Sequence, residues 1–377
     1  MIFSGPVVVR WFRWLPPAFV IMGSASTYMT AMALLGLAGL VLPARASNRL
    51  EMLLYSSYQR MIGFWFETWS CVEFRFYGDR LPEEPENVLY LSNHQCTMDW
   101  VIVELLCVKR GEWGGRARYI LKDTIKYLPL YGWMLSEVRV SNSYGSYFIP
   151  LAVVTQRGGI FVKRRRGTDQ QTFIRGLKDL AERNTPTWLI LFPEGTRFNP
   201  YNQAAIERSQ EYARSLGIPE LKHVLTPKTT GFELSLIIRD HFAAVYDVTI
   251  YYEGNRRGRS PSPDMFRFFS GDCQRVHVHI RRTPVADLPV EAEERKVWLY
   301  DTFCRKDRLL EEAIATGSYS SATPQSLPLP LSYTLLPTLA FSGVLIGALS
   351  HRYGRWWWLG SFVGFSLLGY VRMAFKS

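Results

Sequence analysis

An α/β domain with a largely buried sheet flanked by helices, bracketed by N- and C-terminal transmembrane helices, is the fold class this sequence predicts. Three observations predict it. Uncharged apolar stretches lie near both termini, short β-branched and aromatic runs recur through the middle, and segments of helical spacing separate those runs. At 377 residues the chain can form one large domain or two ordinary ones, which excludes a disulfide mini-scaffold or a single small binding module.

No charge falls between Arg13 and Arg45, and the 25 residues from Ala18 to Leu42 are strongly apolar. As a helix they would be about 37 Å long, enough to cross a bilayer with some tilt. A signal peptide would be shorter and carry a small-residue cleavage site, so a retained anchor is predicted. Its serines and glycines leave a re-entrant hairpin as the alternative. A second uncharged region begins after Glu312 and is most apolar from Leu331 to Ser350. The polar step HRYGR follows, and then the 16 residues Trp356 to Val371. Two spans joined by a tight loop fit this pattern, with one span plus an interfacial helix as the alternative. Arg10 and Arg13 balance Arg45 and Arg49, so charge bias does not orient the first span. The predicted organisation is an anchor over residues 1–43, a functional domain over 44–317, a Pro- and Ser-rich linker over 318–330 and membrane segments over 331–377.

Within the central region, Val88 to Leu91, Tyr119 to Leu121, Gly159 to Val162, Trp188 to Phe192, Val248 to Tyr252 and Val276 to Ile280 read as strands. Met98 to Val108 and Gln171 to Arg183 have helical spacing. His277 and His279 alternate with Val276, Val278 and Ile280, which predicts a half-exposed strand near a sheet edge. The two histidines share a strand face, but no third ligand stands at a recognisable spacing, so no metal site is expected. Five cysteines without a C-x-x-C pair argue against a disulfide framework or a structural zinc. The formal charge of +11 favours anionic partners. Basic clusters at Lys163 to Arg166 and at Arg256, Arg257 and Arg259 lack the aromatic interleaving or helix-turn-helix of a nucleic-acid binder, and membrane-side loops account for them.

Two runs carry chemistry. VLYLSNHQCTMDW sets His94 just after a strand and Asp99 five residues later at a helix start. A strand-to-helix turn can bring them together, with Asp99 fixing the imidazole tautomer while the other nitrogen removes a hydroxyl proton. A buried histidine with an incidental helix-start aspartate is the structural alternative. TWLILFPEGTRF ends a buried strand at Phe192 and Pro193, then presents Glu194, Gly195, Thr196 and Arg197 in a loop where donors can converge on a phosphate. Glu194 is an unusual member of an anion site, predicted to orient Arg197 or bind a substrate hydroxyl.

Together these blocks resemble the glycerophospholipid acyltransferases, whose signature joins a histidine and aspartate block to an F-P-E-G-T-R block in this order, about a hundred residues apart. KDTIKYLPLYG, with Lys122, Lys126, Pro129 and Gly132, and GGIFVKR resemble two further elements. The resemblance covers roughly residues 81–253, and the ends of the chain and the YNQ-to-LKHVLTP segment are similar to the epsilon subgroup of the 1-acylglycerol-3-phosphate O-acyltransferases, the lysophosphatidic acid acyltransferases.

The resemblance implies a glycerolipid acyltransferase-like mixed sheet and acyl transfer from acyl-CoA, a co-substrate, to the sn-2 hydroxyl of lysophosphatidic acid. No other cofactor is implied. His94 and Asp99 would be the catalytic pair; Glu194, Gly195, Thr196 and Arg197 would bind the acceptor phosphate, with Arg164 assisting. Cys96 reads as packing. Another lysophospholipid acceptor such as monolysocardiolipin, or an inactive membrane scaffold, are the alternatives. The implied partners are these substrates and the bilayer, with no nucleic acid. The implied location is the endoplasmic reticulum membrane as a multi-pass protein, with the nuclear envelope and mitochondria as alternatives. Between Gly132 and Gly158 stand 25 residues where the family has about six. Removing residues 138–156 would restore the usual spacing, so this segment is expected to be either a variant insertion or translated intron sequence.

Overall fold

In a computed structural model of the chain, the residues described are 5–111, 115–122, 160–162, 168–182, 186–254, 262–319, 323–325, 327 and 329–376. Arg164, both basic clusters, residues 123–132 of the third block and the 138–156 segment lie outside them. In chain order the elements are α1 (Gly5–Ala38), α2 (Ala44–Gly63), β1 (Glu73–Gly78), β2 (Val88–Ser92), α3 (Asp99–Lys109), β3 (Ala117–Lys122), β4 (Ile160–Val162), α4 (Thr168–Glu182), β5 (Trp188–Leu191), α5 (Gln203–Ser215), α6 (Thr229–Ser235), β6 (Ala244–Gly254), α7 (Met265–Phe269), β7 (Cys273–Pro284), α8 (Ala292–Thr316), α9 (Leu331–Ser350) and α10 (Arg352–Lys376). The chain divides into two compact units.

The first unit comprises residues 1–11, 66–103 and 170–328. Its strands lie in the order β1-β7-β6-β2-β5. The β6–β7 pair is antiparallel and the other three are parallel, so the sheet is mixed. Every residue of β2 and β5 is buried, as expected of parallel strands covered on both faces. Trp188 stacks on Tyr90 and meets Tyr246 edge-on across the sheet. These aromatic contacts explain why short, wholly apolar runs fold as strands here.

The six predicted strands are present. A seventh, β1, is not among those predicted, and it leaves the histidine strand near the sheet edge, one strand in. Pairing of β1 with β7 moves β7 inward by one strand. His277 is fully buried, held between the Tyr77 hydroxyl at 2.9 Å and the Glu253 carboxylate at 3.1 Å. Its polar neighbours, not solvent, satisfy the imidazole, so the alternation reports a polar buried face.

The second unit comprises residues 12–65, 104–169 and 329–377. Within it β3 pairs in parallel with β4, and the helices interlock through small residues and aromatics. Leu345 of α9 occupies the space beside Gly23, where a Cβ would come within 2.7 Å of it. Trp358 donates to the Gly23 carbonyl at 2.8 Å, and Tyr58 donates to the Ile21 carbonyl at 3.0 Å. Among the described residues two helices are long and apolar enough to cross a membrane, over Val9–Ala38 and Leu331–Ser350. The first starts upstream of the predicted span, and residues 356–371 fall within α10, which is not one of the two.

Candidate active site

β2 stops pairing at Ser92, opposite Val248. The next residue, Asn93, continues the ladder with its side chain: Oδ1 accepts from the Ile250 amide at 2.8 Å and Nδ2 donates to the Ile250 carbonyl at 3.0 Å. The main chain is thereby released from the sheet at His94 while still anchored to it. Asp99, at the first residue of α3, is 1% exposed and turns back over this loop. Its Oδ2 accepts from His94 Nδ1 at 2.7 Å, from the Gln95 amide at 2.8 Å and from the Cys96 amide at 3.0 Å. The other oxygen accepts from the Tyr252 hydroxyl at 2.6 Å.

Four donors thus stabilise a buried carboxylate that would otherwise be costly. An ionised carboxylate only accepts, so His94 Nδ1 carries the proton and Nε2 presents a lone pair. The imidazole lies against Phe192, ring centroids 4.4 Å apart, and its side chain is 25% exposed. Cys96 is buried beside Asp99, and burial together with that negative charge raises its thiol far above the ordinary value. A thiolate nucleophile is disfavoured there.

The second block folds against the first. After β5, Gly195 adopts φ +71° and its amide donates to the Phe192 carbonyl at 3.0 Å, a turn conformation that a Cβ would strain. Phe198 donates its amide to the His94 carbonyl at 2.7 Å. On the outer side Thr196 and Arg197 are exposed, and the Arg197 guanidinium donates to the Thr97 hydroxyl of the histidine loop. The structure therefore brings His94, Asp99, Gly195, Thr196 and Arg197 into one neighbourhood.

Glu194 departs from expectation. It neither pairs with Arg197 nor faces outward. It is 2% exposed, with Oε1 accepting from the His94 amide at 2.6 Å and Oε2 from the Leu225 amide at 2.8 Å. Both oxygens are committed to backbone, so the carboxyl braces three loops instead of contacting a ligand. Burial pushes its pKa up to about 8, opposed by the two amide bonds and by Lys306.

Other contributors come from further along the chain. Lys228 is exposed, and its Nζ lies 3.6 Å from where a Gly195 Cβ would stand, so a second cation flanks the turn. It follows Pro227 in VLTPKTTGF, a position the sequence offered but chemistry did not single out. Lys306 of α8 is wholly buried, donates to the Val248 carbonyl at 2.6 Å and the Leu91 carbonyl at 3.3 Å, and pairs with Asp247. It pins together the strand ends from which the histidine loop springs. Its signal in sequence is a lysine on the buried stripe Leu299, Phe303, Leu310, Ala313 of an otherwise polar helix. Among the described residues no group of three or more His, Cys, Asp or Glu could hold a metal ion.

Comparison with known proteins gives two family matches, Acyltransferase over residues 73–253 and Acyltransferase C-terminus over residues 267–341. The chain is 35% identical over 379 aligned positions to the 1-acyl-sn-glycerol-3-phosphate acyltransferase epsilon of Mus musculus, covering 97% of each chain. It is 30% identical to 1-acyl-sn-glycerol-3-phosphate acyltransferase 3 of Arabidopsis thaliana, covering 74% of this chain and 68% of that one. The Homo sapiens 1-acyl-sn-glycerol-3-phosphate acyltransferase gamma is 28% identical over 79% of this chain and 72% of its own length. A crystal structure of the 1-acyl-sn-glycerophosphate acyltransferase of Thermotoga maritima matches at TM-score 0.46 and 17% identity, over 80% of this chain and 98% of that one.

Proposed function

Because this chain belongs to the 1-acyl-sn-glycerol-3-phosphate acyltransferase family, we propose that it moves a fatty acyl group from acyl-CoA to the sn-2 hydroxyl of lysophosphatidic acid, giving phosphatidic acid and CoA. In this reading His94 Nε2 takes the hydroxyl proton as the oxygen attacks the thioester carbonyl. The tetrahedral intermediate then collapses, the C–S bond breaks, and the proton passes to the departing thiolate. Asp99 stabilises the imidazolium that forms between these steps. Thiolate leaves readily, so acyl-CoA as co-substrate suffices and no further cofactor is required.

Arg197, with Lys228 beside it, grips the acceptor phosphate, and Gly195 and Thr196 give it close approach; Arg164 is assigned the assisting role its motif implies. Glu194 acts through the backbone it holds, as a positioning residue. The observation that carries the reading is the pairing of Asp99 with His94 Nδ1 at 2.7 Å, next to a loop whose Arg197 bonds Thr97 of the same histidine block. A base and an anion clamp on one loop pair hold a phosphorylated alcohol in line for attack.

α1 and α9 are proposed to place this chemistry in a membrane, that of the endoplasmic reticulum, in a multi-pass arrangement. The division into anchor (1–43), catalytic domain (44–317), linker (318–330) and C-terminal membrane segments (331–377) is retained as part of the proposal. The test is release of CoA by purified protein given labelled acyl-CoA and a panel of lysophospholipids. His94→Ala is expected to lose nearly all release while inserting normally into membranes; unchanged release defeats the mechanism. Arg197→Lys is expected to raise mainly the acceptor KM, because a point charge cannot reproduce the fork. An effect confined to acyl-CoA would reject that assignment.

A further inference from the structure

Asp247 and Tyr252 stand five residues apart on β6, an odd separation, so their side chains leave the sheet on opposite faces. Tyr252 reaches Asp99. On the other face, against α8, a cavity of about 340 Å³ is lined by Asp247, His279, Arg281, Arg305, Arg308, Glu312 and the apolar Leu309. It belongs to the same unit as the reacting centre but lies across the sheet from Asp99.

The balance of charge in this cavity is unusual. Three guanidiniums face two carboxylates, and one of these, Asp247, is already committed to Lys306 beneath it. Arg305 approaches Asp247 at only 3.9 Å and spends one terminal nitrogen on the Thr302 hydroxyl at 2.7 Å. Its Nε and the Nδ1 of His279 are buried without a hydrogen-bond partner. Arg281 and Arg308 are exposed and form no ion pair among the described residues. Burial holds both Arg305 and His279 below their ordinary pKa values.

Leaving the buried Arg305 Nε–H unmade costs about 1–3 kcal/mol, so a fold that keeps it stands to gain from a ligand that supplies an acceptor. The missing partner must be rich in oxygen, negatively charged, and matched to several planar forks. A phosphate group has these properties, and the cavity has room for it and the group it is attached to. We propose that this cavity is a second phosphate site, separate from the reacting centre, which binds a phosphomonoester either free in solution or as the headgroup of a lipid.

The experiment follows Tm of the full chain in neutral nanodiscs, first with inorganic phosphate at constant ionic strength and then with phosphatidate in the disc. A saturable rise in Tm is expected, unchanged by Arg197→Ala and lost or shifted about tenfold in apparent Kd by the double variant R281Q/R308Q. A rise with phosphate assigns a soluble ligand; a rise with phosphatidate alone assigns a lipid headgroup. CoA release by R281Q/R308Q within twofold of wild type shows that the variant is folded. R281K/R308K, which keeps charge without the fork, is expected to bind weakly. No rise with either probe, a rise indifferent to R281Q/R308Q, or one abolished by Arg197→Ala overturns the proposal.

Discussion

Replacing Asp99 with Asn separates the charge of this carboxylate from its geometry. The carboxamide oxygen of the new side chain takes over the three donors at Oδ2, namely His94 Nδ1 and the Gln95 and Cys96 amides. Its NH₂ group then faces Tyr252, whose hydroxyl rotates from donor to acceptor. The loop survives, and the imidazolium loses its counter-charge. For a unit charge pair near 4 Å at an effective dielectric of about 20, that interaction is worth about 4 kcal/mol. His94 is a quarter exposed, so solvent screening reduces this to about 2–3 kcal/mol, or about 30- to 150-fold in kcat. The assay is steady-state CoA release at saturating substrates, with thermal unfolding measured on the same preparation. A kcat within threefold of wild type at unchanged Tm would refute charge stabilisation by Asp99 and leave it only the task of shaping the loop.

Three further outcomes are expected. Tyr252→Phe removes one of four donors from Asp99 and should lower kcat about 3- to 10-fold with KM unchanged; in the Asp99→Asn background the same change should cost less than about twofold, and equal losses in both backgrounds would deny the contact. Glu194 holds in the folded state a proton that the unfolded chain releases above its ordinary 4.5, so its contribution to stability is full below that value and is lost as pH rises through about 8. Glu194→Gln should flatten this decline in Tm between those limits, and parallel pH profiles would disprove the raised pKa. Lys306→Met removes the nearest cation from the buried Asp247 carboxylate, leaving Arg305 at 3.9 Å, and should cost about 3–5 kcal/mol by denaturant unfolding, while D247N/K306M should recover most of it; additive losses would show that the two are not coupled.

The candidate site was legible in the sequence because its defining spacings are local. Asp99 stands five positions after His94, and four consecutive residues make the turn at Gly195. The supporting residues were not legible, because their partners lie far along the chain. Asn93 meets Ile250 across 157 positions, Tyr252 meets Asp99 across 153, and Lys306 meets Leu91 across 215. β1 escaped notice because EFRFYG mixes charges with aromatics, yet Phe74, Phe76 and Tyr77 are buried while Glu73 and Arg75 satisfy each other at the rim. Glu194 misled for the same reason as His277: a polar residue on a strand or beside a turn suggests water or ligand unless its distant donors are known.

The inward-facing Glu194 makes the histidine loop, the FPEGTR turn and the segment at Leu225 a single mechanical piece. Selection for a new acceptor therefore has little freedom in that carboxyl, since loosening it would displace the base along with the pocket. Variation in headgroup preference should concentrate at the outer tips, Thr196, Arg197 and Lys228, where a side chain can change without moving the imidazole.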